Sequence, residues 1–157
     1  DSVPDLEALV GRLEAPARTV AAFRLAAAEA ETGETGAAID RLDRIAAQTG
    51  LGPAYADLAA LKAARLAIPG LSPEDAEARL DPLTAPGRPY RALALEMRAA
   101  MRLNAGWSDG ARADLEAILA EPGVTPGLAE RVQFMLRVIG PAAEDGADAA
   151  PAGDGSE

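Results

Sequence analysis

The sequence predicts an all-α fold in which short helix pairs follow one another along the chain. Three observations predict it. Hydrophobic residues make up 49% of the chain but aromatics only 3%, so the apolar material is mostly Ala and Leu, which favour helices over sheets. Pro16, Pro53 and Pro89 are each followed seventeen positions later by a glycine: Gly33, Gly70 and Gly106. After each glycine comes an apolar triplet at helical spacing: Ala38, Leu42, Ile45, then Ala76, Leu80, Leu83, then Ala111, Leu115, Ile118.

Each element follows from these signals. Ser2 to Asp5 reads as a capping box opening a leading helix that ends near Leu13. Proline suits the first turn of a helix, where its missing N–H would lack a partner, and glycine suits the left-handed residue that closes one. Each Pro-to-Gly stretch is therefore expected to be one helix of about four turns. The triplets use offsets of four and three, placing their side chains on one face of a second helix. The units fall near 16–50, 53–86 and 89–123. Pro126 opens a fourth, incomplete unit 37 residues after Pro89, the earlier Pro-to-Pro spacings being 37 and 36. An ordinary tetratricopeptide repeat spans about 34 residues, so the fold class is a tetratricopeptide-like α-solenoid of about three helix pairs.

Ser72-Pro73-Glu74-Asp75 is a capping box with proline at the first helical position, and Thr125-Pro126 repeats the arrangement. Pro82 would cost about 3 kcal/mol inside a helix, so the second helix of the middle unit should stop or kink near Asp81. The last helix, 126–139, carries Leu128, Val132, Met135, Leu136 and Ile139 and is expected to cap the apolar end of the stack. The repeat domain thus spans 1–140. Residues 141–157, rich in Ala, Gly, Pro and acids, bury too little to offset ordering and are expected to form a disordered tail.

Formal charge is −10, half of it from Glu144, Asp145, Asp148, Asp154 and Glu157, a stretch with no basic residue. Nucleic-acid affinity needs a basic surface for phosphate contacts. DNA and RNA are therefore not expected as partners, nor are anionic lipid headgroups. No apolar run approaches the roughly 18 to 20 residues of a membrane span.

The chain has no His and no Cys, removing the commonest general base and the commonest metal and thiol ligands. No catalytic residue, cofactor or metal site is expected. Asp40 with Asp43, and Glu74 with Asp75, read as solvated helix faces and helix-start charges rather than as paired acids for catalysis. Gly50-Leu51-Gly52 precedes Pro53, which lacks the N–H that a phosphate cradle would use, and reads as a helix-ending turn. Met97, Met101, Trp107, Tyr55 and Tyr90 read as packing residues.

If the first helices of the pairs line a groove, its positions fall on Val20, Phe23 and Ala27, then Asp57, Ala60 and Ala64, then Leu93, Glu96 and Ala100. These nine form the candidate partner groove. They include no Lys or Arg, so a mixed apolar and acidic groove for extended or helical apolar segments of protein partners is expected.

Two stretches resemble a specific family. Leu51-Gly52-Pro53-Ala54-Tyr55-Ala56-Asp57-Leu58-Ala59-Ala60-Leu61-Lys62-Ala63 is one. The other is Leu80-Asp81-Pro82-Leu83-Thr84-Ala85-Pro86-Gly87-Arg88-Pro89-Tyr90-Arg91-Ala92-Leu93-Ala94-Leu95-Glu96. Both are similar to alphaproteobacterial tetratricopeptide-like proteins related to the YfgM-type ancillary subunit of the SecYEG translocon, the likeness running from about Pro16 to Ile139. The resemblance implies a periplasmic repeat domain held at the bacterial inner membrane by one N-terminal helix, which would have to lie upstream of Asp1. It implies translocon subunits, periplasmic folding factors or exported clients as partners, and it implies no catalytic motif. Tyr90 stands where many relatives would carry Trp, a change that preserves packing. A scaffold for a respiratory or other envelope complex is the alternative, since helical-repeat folds host many partners.

Overall fold

The structure, a computed structural model, describes residues 15–140, and these are helical with no strand among them. The seven α-helices are α1 (Ala15–Glu31), α2 (Thr35–Ala46), α3 (Pro53–Ala67), α4 (Pro73–Leu80), α5 (Arg91–Asn104), α6 (Ser108–Leu119) and α7 (Pro126–Ile139). The leading helix expected over Ser2–Leu13 and the tail expected over 141–157 lie outside the described residues.

Start signals act much as the sequence implies. Pro53, Pro73 and Pro126 each occupy the first turn of their helix. The Ser72 hydroxyl accepts the Asp75 amide at 3.1 Å and donates to the Asp75 carboxylate at 2.8 Å. The box is thus closed side chain to side chain. At α7 the Thr125 hydroxyl accepts the Leu128 amide at 3.4 Å.

Two glycines close helices as expected. At Gly33 (φ 88°) the Glu34 amide donates to the Glu29 carbonyl and the Gly33 amide to that of Ala30. At Gly106 (φ 80°) the Trp107 amide donates to the Arg102 carbonyl and the Gly106 amide to that of Leu103. Both are Schellman motifs, which need the left-handed residue glycine supplies most cheaply.

Two punctuation marks behave differently. Gly70 does not close α3 in the left-handed conformation. The helix already ends at Ala67 and passes into a 3₁₀ turn, Ile68–Gly70, because Pro69 lacks an N–H and its ring opposes the carbonyl four residues back. Pro89 does not open α5 either. Tyr90 (φ −118°, ψ 26°) is outside the helical region, with its ring packed against the middle core cluster, so the helix starts at Arg91.

Pro82 ends α4 at Leu80, and a 3₁₀ turn, Asp81–Leu83, follows. The turn keeps Leu83 on the buried side, so the apolar stripe survives the break. All nine stripe residues, from Ala38 to Ile118, are buried. The periodicity that defined the second helices therefore marks their true packing face.

Packing proceeds in sequence order, each helix lying chiefly against its neighbours along the chain. Three apolar clusters result. Ala22 and Ala26 of α1 pack with Leu42 and Ile45 of α2 and with Ala59 and Ala63 of α3. Leu61 and Ala64, on another face of α3, pack with Leu80, Leu83 and Ala94 of α5. Leu95 and Ala99 of α5 pack with Ala111, Leu115 and Ile118 of α6 and with Leu128 and Val132 of α7. α3 and α5 are each shared by two clusters. No single centre gathers all the helices, and the packing is compatible with an α-solenoid. Alanine dominates the shared faces because small side chains let a helix serve two neighbours closely.

α7 covers the last cluster through Leu128 and Val132, with Met135, Leu136 and Ile139 packed beside them. Its outer side keeps Phe134 and Val138 exposed, at 61% and 70%.

Candidate protein-binding groove

A hollow of about 410 Å³ opens between α1 and α3, the first helices of successive pairs. Phe23, Ala27, Ala30 and Glu31 of α1 line one side, and Lys62, Arg65 and Leu66 of α3 line the other. Ala26 and Leu42, both core residues, complete the lining. The helix period explains the arrangement. Phe23, Ala27, Ala30 and Glu31 repeat at three and four residues, as do Lys62, Arg65 and Leu66, so each set forms one stripe along its helix.

The nine sequence-predicted groove residues do not form one surface. Phe23 and Ala27 line the hollow just described. Val20, 54% exposed, borders a second hollow of about 610 Å³ with Leu51 and Tyr55, beside the loop after α2. Leu93 and Ala100 are exposed on α5, and Ala60 is half-buried against the middle cluster. Glu96 is held by Arg131, whose Nε and Nη2 donate to the two carboxylate oxygens at 3.0 and 3.1 Å. That contact holds the Arg131 guanidinium above its ordinary pKa, through the hydrogen bonds first and the opposite charge second.

Asp57 and Ala64 correct the expectation, because both are buried. Asp57, Leu61 and Ala64 recur at offsets of four and three; Leu61 and Ala64 pack with Leu80, Leu83 and Ala94, and Asp57 pairs with Arg88 of the loop before α5. At about 100° per residue, the neighbouring positions Lys62 and Arg65 turn outward instead. The groove is consequently not acidic: one carboxylate, Glu31, and two cations line it.

Buried acids neutralised by arginine are the polar feature that sequence reasoning missed. Glu29 accepts from Arg41 at 2.9 and 2.6 Å. Asp57 is paired with Arg88. Asp114 accepts from Arg98 at 3.0 and 2.7 Å and from Arg102 at 2.9 Å. Arg98 also donates to Asp81 at 2.6 Å and to the Thr84 hydroxyl at 3.0 Å, while Arg102 reaches Glu77. The Asp114 assembly thus ties α4 and its 3₁₀ turn to α5 and α6. Hydrogen bonding to Asp114 is the largest cause raising the Arg98 pKa. Burial opposes it, and the charges of Asp114 and Asp81 add to the rise.

The acids read as solvated divide. Asp40, Glu74 and Asp75 are exposed, whereas Asp43 accepts from Arg79 of α4 at 2.6 and 2.8 Å and so bridges two second helices. One sequence signal pointed to the buried set. Asp114 lies three residues after Ala111 and next to Leu115, inside the apolar stripe, where a carboxylate needs a countercharge.

No family model, curated protein or solved structure matches the chain. Among the described residues no group of three or more potential metal ligands gathers, and no helix is long and apolar enough to cross a membrane.

Proposed function

We propose that this chain is a non-enzymatic protein–protein interaction module, built as a tetratricopeptide-like solenoid. The observation that carries the reading is the hollow between α1 and α3. It lies between the first helices of consecutive pairs, is lined by Phe23, Ala27, Ala30 and Leu66, and keeps Lys62 and Arg65 exposed at its rim. Such a surface suits an amphipathic or extended polypeptide segment. The non-enzymatic reading is supported by the pairing of the buried carboxylates: Glu29 and Asp114 have both oxygens engaged by arginine and Asp57 is paired with Arg88 through one, and a nearby cation makes a carboxylate a weaker base.

A photoreactive amino acid placed at Ala27, in the groove, and at Glu116, exposed on α6, tests the module reading in the cell. Defined proteins should crosslink to position 27 and not to position 116. Equal or absent labelling at the two positions would contradict it.

The narrower reading, an ancillary subunit of the SecYEG translocon at the periplasmic face of the inner membrane, rests on the two stretches 51–63 and 80–96. In the fold these supply most of α3 and the segment that runs from the end of α4 into the first turns of α5. Affinity purification of the full-length protein from native membranes tests it. Translocon subunits or periplasmic folding factors should be recovered, and recovery of cytosolic proteins alone would dismiss it.

A further inference from the structure

Many arginines among the described residues are committed, Arg91 to Glu121 among them. Arg41, Arg79, Arg88, Arg98, Arg102 and Arg131 each hold a carboxylate. Lys62 and Arg65 are exposed and have no ion-pair or hydrogen-bond partner among the described residues, and unlike Arg24 and Arg137, which are also exposed and unpaired, both line the hollow. They stand three positions apart, on one face of α3, and both line the hollow that faces Phe23, Ala27 and Ala30. Against them stands the single carboxylate of Glu31, leaving the hollow with one net positive charge in a chain of net charge −10. The helix dipole favours a cation in the last turn and accounts for Arg65, but Lys62 sits farther from the helix end. An apolar trough with a local reversal of charge sign selects its ligand by complementarity.

We propose that the α1–α3 hollow binds a polypeptide segment of a partner protein that sets a carboxylate next to an apolar side chain. The carboxylate meets Lys62 and Arg65, and the apolar side chain lies on Phe23, Ala27 and Leu66. The proposal rests on the reading of the chain as a protein-binding module and adds the chemistry of what it binds. It also reverses the acidic part of the mixed apolar and acidic groove expected from the sequence, because Asp57 is buried and Glu96 is engaged by Arg131.

The test is panning of a random peptide library on the full chain, followed by anisotropy titration of the enriched peptides. Enriched peptides should carry Asp or Glu close to Leu, Ile, Phe or Met. The double variant K62E/R65E should weaken them by about tenfold or more with only a small drop in the thermal melt, since neither side chain makes a described contact and the one support it removes is that of Arg65 to the helix dipole. Glu31→Gln should tighten them, by about twofold. Peptides without acids, or peptides held equally by K62E/R65E, would overturn this proposal while leaving the module reading intact. Binding that appears only after Glu144, Asp145 and Asp148 are changed to amides would identify the chain's own acidic segment as the occupant and equally overturn it. Self-association blocked by K62E/R65E would do the same in favour of a second copy. No enrichment on the folded chain would end both readings.

Discussion

Replacing Arg98 by Ala should be among the most damaging single changes available on this polar scaffold. The guanidinium donates at 3.0 and 2.7 Å to Asp114, at 2.6 Å to Asp81 and at 3.0 Å to Thr84. It joins α5 to α6 and to the 3₁₀ turn after α4. Its loss leaves the buried Asp114 with Arg102 alone, at 2.9 Å. Breaking a buried ion pair from one side costs about 3–5 kcal/mol, and the surviving Arg102 contact places this case near the lower limit, at about 3 kcal/mol. That is a large share of a stability of about 5–15 kcal/mol. Urea unfolding followed by helical circular dichroism measures it, with a lower midpoint and an unchanged slope expected. The apolar double replacement R98M/D114L should recover most of the loss, because the penalty comes from an uncompensated buried charge. The reasoning fails if R98A unfolds within about 0.5 kcal/mol of the parent, or if the double replacement falls as far as the two single changes summed. The pH dependence has a defined sign. A raised arginine pKa gives stability that is complete below the ordinary arginine value and lost only as pH rises through the elevated one. The difference between parent and R98A attributable to this group should therefore stay constant from about pH 7 to about pH 10.

Three further outcomes are expected. Gly106→Ala should cost about 1–2 kcal/mol in the same assay, since φ at this helix end is 80° and a Cβ there is strained although nothing crowds it. Ser72→Ala should cost about 1 kcal/mol and raise amide exchange at Asp75, whose N–H loses its acceptor. Arg131→Ala should leave the unfolding midpoint unchanged, because its pairing with Glu96 is at the surface, and a clear loss would show that this pair supports α7 on α5.

The parts of the fold legible in the sequence are those encoded within one helix turn. Ala38, Leu42 and Ile45 and their counterparts at Leu80 and Leu115 are neighbours on their own helices, so their spacing named their buried face directly. Pro82 marked its break for the same local reason. The groove was less legible because α3 is packed on two faces. Seven residues separate Asp57 from Ala64 as they would on any stripe, and nothing in that spacing says which stripe remains open. The acid–arginine pairs were hidden for another reason: Asp57 finds Arg88, and Asp43 finds Arg79, across the interval between helices rather than within one. Pro89 misled because a proline before a helix and a proline inside its first turn look alike in sequence, and here the packing of Tyr90 decides between them.

Hydrogen exchange on Leu115→Ala tests the succession of helix pairs most directly. Leu115 is fully buried in the α5–α6–α7 cluster, and its truncation should cost about 2–5 kcal/mol. Helices stacked in succession, with nearest-neighbour coupling, predict accelerated exchange in α5, α6 and α7 and near-parental protection in α1 and α2. Uniform acceleration from α1 to α7 would contradict the stack and mean that one shared centre holds all the helices together.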